Sequence, residues 1–113
     1  MKIDGRIDYV ELAGGDLPGV KRFYADAFGW TFTDYGPTYA AFDEGLEGGF
    51  QADPAEAPSA PLVVLWADDL EAMLAKVRAA GAAVTKPIFA FPGGRRFHFR
   101  DPAGNELAVV TGA

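Results

Sequence analysis

The chain has 113 residues, half of them hydrophobic, and no cysteine; that is enough to bury a core without staples, and it excludes disulfide frameworks and thiolate chemistry. Ten Lys and Arg against 16 Asp and Glu leave a formal net charge of −6, the wrong sign for a phosphate backbone, so nucleic acid is not an expected partner. No apolar run approaches the roughly 20 residues of a membrane-spanning helix, and Met1-Lys2-Ile3-Asp4-Gly5-Arg6 has no apolar signal core, so no membrane partner is expected and the expected location is the cytoplasm.

Ile7 to Leu12 mixes β-branched, aromatic and acidic residues before Ala13-Gly14-Gly15 and predicts a strand. Asp16 is placed to cap a helix, with Pro18 in the first turn where its missing N–H costs little. Leu17, Val20, Phe23, Tyr24, Ala27 and Phe28 then follow helical spacing, and Gly29 stops the helix. Trp30 to Tyr35 alternates up to Gly36-Pro37 and predicts a strand, as does Tyr39 to Phe42 before the Asp43-Glu44-Gly45 turn. A third, Leu46 to Gln51, contains Gly48 and Gly49, which point to a bulge or a close backbone approach. Residues 52–61 hold three prolines with Ala, Ser and acids and read as a linker.

The order then restarts. Leu62 to Trp66 reads as a buried strand. Asp68 with Glu71 three residues on resembles a capping box, followed by an apolar face of Leu70, Met73, Leu74, Val77 and Ala80 and a stop at Gly81. Ala83 to Lys86 and Ile88 to Phe91 lead through Pro92-Gly93-Gly94 into a hairpin from Arg95 to Val110, turned at Asp101-Pro102-Ala103-Gly104-Asn105. Aligning the halves sets Asp16-Leu17 against Asp69-Leu70, and Ala27-Phe28-Gly29-Trp30 against Ala79-Ala80-Gly81-Ala82. An internal duplication on this scale is an architectural signal.

These motifs resemble the vicinal oxygen chelate superfamily, which includes glyoxalases, bleomycin-resistance proteins, fosfomycin-resistance enzymes and extradiol dioxygenases. The residues that carry the resemblance are Glu11-Leu12 to Asp16-Leu17, Phe23-Tyr24 to Phe28-Gly29-Trp30, and Phe99 to Leu107 around the closing turn. It implies an α+β fold: one domain over 1–113, with tandem βαβββ modules at 7–51 and 62–111 curling into a half-open cup of mixed sheet with the helices outside. It also implies a homodimer.

Enzymes of that group hold a divalent metal with His, Gln or Glu from the first and last strand of each module. Counted from Asp16 and Asp101, those positions fall here on Tyr9, Leu62 and Ala108, with Glu47 or Gln51 at the fourth. Leucine and alanine offer no donor and neutral tyrosine is a poor one, so the usual site reads as dismantled and no cofactor is expected.

Strand alternation sets Glu11 on the face of Tyr9, and Glu106 on the face of Ala108. Leu62 brings Val64 and Trp66 with it. The residue three before the hairpin Asp, which faces substrate in the resembling fosfomycin-resistance enzymes, is His98, with Arg96 beside it in alternation. The predicted lining is therefore Tyr9, Glu11, Leu62, Val64, Trp66, Arg96, His98, Glu106 and Ala108, aromatic and apolar with a few polar groups, which suits a small organic ligand. The candidate ligand-binding residues among them are Tyr9, Glu11, Trp66, Arg96, His98 and Glu106. Each also has a plainer reading: His98 as a hydrogen-bonded strand residue, Glu11 as a rim carboxylate, Glu106 as a solvated strand start, Trp66 as core or dimer interface, and Arg96 as part of a charged edge.

Four functions stay open. The first is metal-independent binding of a small organic molecule, as in the bleomycin-resistance branch. The second is a lyase, isomerase or dioxygenase whose Mn, Fe, Ni or Zn ligands have moved to Glu11, His98, Glu106 and Glu47. The third is a metal-free enzyme with His98 or Glu11 as general base, and the last is a non-catalytic interaction module.

Overall fold

The computed structural model describes residues 2–112; Met1 and Ala113, the ends of the expected domain, lie outside them. The elements run β1 (Ile7–Ala13), α1 (Leu17–Phe28), β2 (Thr33–Asp34), β3 (Tyr39–Asp43) and β4 (Glu47–Gln51). The same order follows as β5 (Leu62–Trp66), α2 (Leu70–Ala79), β6 (Ala83–Phe91), β7 (Gly94–Arg100) and β8 (Glu106–Gly112). The fold is α+β with tandem βαβββ modules, as expected. The chain divides into two compact units, Tyr9–Leu62 and the residues before Tyr9 together with those from Val63 on.

In the Tyr9–Leu62 unit the strand order is β2-β3-β4-β1, with β1 parallel to β4 and the other pairs antiparallel. Asp16 caps α1 by accepting from the Gly19 amide, and Gly29 ends it at φ 73°. Leu17, Val20 and Tyr24 bury the helix against Val10, Leu12, Ala40, Phe42 and Phe50. Phe23 and Phe28, expected on that face, are 58% and 63% exposed. They flank the buried stripe, Phe23 packing edge-on against both Tyr24 and Phe28, and Ala27 is exposed beside them.

The strand expected from Trp30 to Tyr35 contracts to Thr33–Asp34. The Trp30 amide turns back to the Tyr24 carbonyl and the Thr31 amide binds the Glu44 carboxylate, so neither is free to pair with a neighbouring strand. Trp30 and Phe32 still point inward, as their alternation predicts. Gly48 and Gly49 keep an unbroken register with β3, which rules out the bulge. The close approach is real: a Cβ on Gly48 would meet the Phe42 ring, and one on Gly49 the Tyr39 ring.

In the other unit the order is β5-β8-β7-β6, with β5 parallel to β8. Leu70, Met73, Leu74 and Val77 of α2 pack on Phe97, Phe99 and Val109. The cap of α2 is Asp69, which accepts from the Ala72 amide at 3.0 Å, and not Asp68. Asp68 instead accepts from the Trp66 indole at 2.8 Å, and Glu71 is drawn away to Arg95 rather than back to the cap. Ala80, expected on the apolar face, is the C-cap of the helix. The two segments expected at 83–86 and 88–91 are one strand with register shifts on either side of Lys86. No helix among the described residues is long and apolar enough to cross a membrane.

Candidate functional site

Alternation along β7 is set by its core residues. Phe97 and Phe99 turn toward α2, which sends Arg96 and His98 to the opposite face. Across that face one row contains Val64, Ala108 and His98, and the next Trp66, Val110 and Arg96. The register shifts in β6 set Phe89 opposite Arg96 and Lys86 opposite His98.

His98 is 4% exposed. Its Nδ1 lies 3.2 Å from Glu106 Oε2, the oxygen that also accepts from the Thr85 hydroxyl at 3.2 Å. Burial, then the Arg96 and Lys86 charges, push the imidazole below its ordinary pKa, against the pull of Glu106. Burial also pushes the Glu106 carboxyl up, but hydrogen bonds from His98 and Thr85 and the His98 and Arg100 charges outweigh it and leave it below its ordinary value. At neutral pH the pair is thus a neutral imidazole beside an ionised carboxylate. A carboxylate only accepts, so the imidazole proton sits on Nδ1 and Nε2 is a bare acceptor. That Nε2 is buried and has no hydrogen-bond partner among the described residues.

Beside it runs an aromatic ladder. The Arg96 guanidinium lies 5.4 Å from the Phe89 ring centre and 5.3 Å from that of Phe91. Phe89 in turn packs on the His98 ring at 5.8 Å. Phe89 and Phe91 are half-buried. Neither was among the expected site residues, because only the displaced register of β6 brings them across to β7. Arg96, His98 and Glu106, all expected, come together here.

Trp66 shares the Arg96 row but is engaged differently. Its indole binds Asp68, the Lys2 ammonium stands 5.0 Å above its ring, and its backbone pairs with Gly5 and Arg6.

In the Tyr9–Leu62 unit, Val10 and Leu12 face α1, so Tyr9 and Glu11 occupy the other face. Glu11 is 7% exposed. Tyr9 and Tyr39 share a hydrogen bond between their hydroxyls. Tyr39 was not anticipated; its ring lies over Gly49, the residue opposite Glu11 in the β1–β4 register. The signal for it was the absent side chain at Gly49.

Of the positions counted from Asp16 and Asp101, Glu47 carries a carboxylate and is exposed on β4. Leu62 and Ala108 have no donor, the Tyr9 hydroxyl is bound to Tyr39, and the Gln51 side-chain oxygen accepts from the Asp53 amide at 3.0 Å. Among the described residues no three His, Cys, Asp or Glu side chains gather as a metal would need.

No curated protein matches by sequence, whereas solved structures match over nearly the whole chain. An NAD-dependent benzaldehyde dehydrogenase structure from Legionella pneumophila superimposes with a TM-score of 0.77 at 14% identity, over 93% of this chain and 98% of that one. Methylmalonyl-CoA epimerase from Mycobacterium tuberculosis gives 0.70 at 17% identity over 96% and 88%. A hypothetical protein from Bacillus halodurans gives 0.76 at 12% over 98% and 96%. At such identities the likeness is one of fold. Residues 6–109 match the model of the glyoxalase/bleomycin resistance protein/dioxygenase superfamily, and the chain belongs to that superfamily.

Proposed function

We propose that this protein binds a small organic molecule, without the metal usual in its superfamily, on the sheet face that carries Arg96, His98 and Glu106. The observation that carries the reading is the buried, unpartnered Nε2 of His98 beside the half-buried Phe89 and Phe91 rings. Buried polar atoms are nearly always satisfied, so an acceptor left over inside an aromatic setting supports a donor supplied from outside the chain. Missing donors at positions 62 and 108 support the metal-free part of the reading. Structural neighbours include a methylmalonyl-CoA epimerase in complex with methylmalonyl-CoA, a relative by fold that holds an organic substrate. A cytoplasmic homodimer completes the proposal, supported by the exposed Phe23 and Phe28, since clustered exposed aromatics mark association surfaces.

The test is a thermal-shift screen of aromatic metabolites, cationic antibiotics and glutathione adducts, on protein purified without a His tag and analysed for metal. A ligand at a hundred times its dissociation constant adds about 2.7 kcal/mol of stability, and His98→Ala abolishes that gain. Stoichiometric bound Mn, Fe, Ni or Zn overturns the metal-free part. Silence across the panel counts against a ligand site. Sedimentation velocity reads the oligomeric state.

A further inference from the structure

The chemistry around His98 restricts what its ligand can be. Glu106 fixes the imidazole proton on Nδ1, so Nε2 accepts a hydrogen bond and cannot donate one. A carboxylate or a carbonyl would meet lone pair with lone pair there. The group the ligand turns to Nε2 is therefore an O–H or N–H. A neutral O–H or N–H satisfies that acceptor without bringing a further charge into a buried setting. Arg96 on β7, Lys86 on β6 and the Glu106 carboxylate on β8 all act on the His98 ring. The half-buried Phe89 and Phe91 rings, with the Arg96 guanidinium over both, offer apolar surface alongside.

We propose that the ligand is a small hydroxylated aromatic, a phenol or aromatic enol, that donates its O–H to His98 Nε2 with its ring against the Phe89–Phe91 ladder. Glu106 is the positioning residue that keeps Nε2 an acceptor. The assignment rests on the ligand-binding reading above, and its test separates the two.

Nitrogen-15 NMR of the full chain at pH 7 reads which imidazole nitrogen carries the proton, and titrations with phenol and with anisole, its methyl ether, follow. The expected result is a proton on Nδ1 alone, an Nε2 resonance that moves with phenol, and binding about tenfold tighter for phenol than for anisole, one hydrogen bond's worth. In His98→Phe that preference disappears; should this variant fail to fold, the wild-type Nε2 resonance carries the comparison. A proton on Nε2 before ligand is added, or equal binding of phenol and anisole, overturns the protic assignment and leaves the ligand site standing. Binding of neither overturns the assignment, and with silence across the wider screen it overturns the ligand site as well.

Discussion

His98 donates from Nδ1 to Glu106 Oε2 at 3.2 Å, across the β7–β8 hairpin and under the cover that leaves the imidazole 4% exposed. Burial lowers the histidine's pKa in the fold, so the unfolded chain takes up a proton first as pH falls. Stability contributed by neutral His98 is therefore whole above about pH 6.5 and drains away below it toward the lowered folded value. Glu106 is lowered as well, and its share is lost only further down, below the ordinary carboxylate range. Melting temperature is expected to fall between pH 7 and pH 5, and to fall less in His98→Gln. An equal slope in the two proteins over that interval removes His98 as the titrating group.

Gly49 lies beneath the Tyr39 ring, and any side chain there collides with it. Gly49→Ala is expected to destabilise by about 1–3 kcal/mol, as overpacking does. Tyr39→Ala in the same chain removes the obstacle, so the double variant is expected to lose less than the two single losses summed. Denaturant unfolding of the four proteins measures the coupling. Additive losses would mean that Gly49 serves the backbone and not the ring.

Much of this architecture was legible because it rests on local chemistry. Asp16 and Gly29 bracket α1 where their capping chemistry places them, and the turn at residues 101–105 joins β7 to β8 as an antiparallel hairpin where its residues predict. Alternation along β7 and β8 set Arg96, His98 and Glu106 on one face. Their bonding was not legible, because it depends on how far across the hairpin each side chain reaches. Phe89 and Phe91 escaped for a related reason: strict alternation cannot anticipate the register shifts around Lys86. Trp30 to Phe32 reads as strand by pattern, yet its backbone is drawn into bonds with Tyr24 and Glu44.

The two candidate caps of α2 make a direct comparison. The capping-box spacing favours Asp68, while alignment of the halves favours Asp69, and Asp69 makes the bond. Asp69→Ala is expected to cost about 1 kcal/mol, the usual worth of an N-cap. Asp68→Ala strips the Trp66 indole of its acceptor and leaves the helix capped. Helical circular dichroism during thermal unfolding separates them: the Asp69 variant melts earlier, and Asp68→Ala shifts tryptophan fluorescence instead.

Asp101 holds the closing turn through three bonds of 2.9 Å, accepting from the Ala103 and Asn105 amides and from the Asn105 side chain. Those bonds, the Asn105 side chain foremost, keep its carboxyl below the ordinary value. The stability they add is present above the unfolded carboxylate pKa and lost as pH falls through the lower folded one. Gly104 at φ 90° completes the turn, and its carbonyl receives Arg100 at 3.0 Å. Asp101→Ala releases all three donors, and loosening the turn also loosens the hairpin register that aligns His98 with Glu106. Asp101→Asn keeps an oxygen acceptor and loses the charge, so its melting temperature is expected between those of wild type and Asp101→Ala. Phenol titration of both variants then shows whether the turn matters for the site: binding is expected to weaken in the same order as stability. Unchanged binding in Asp101→Ala would show that β7 and β8 hold the His98–Glu106 pair without help from the turn.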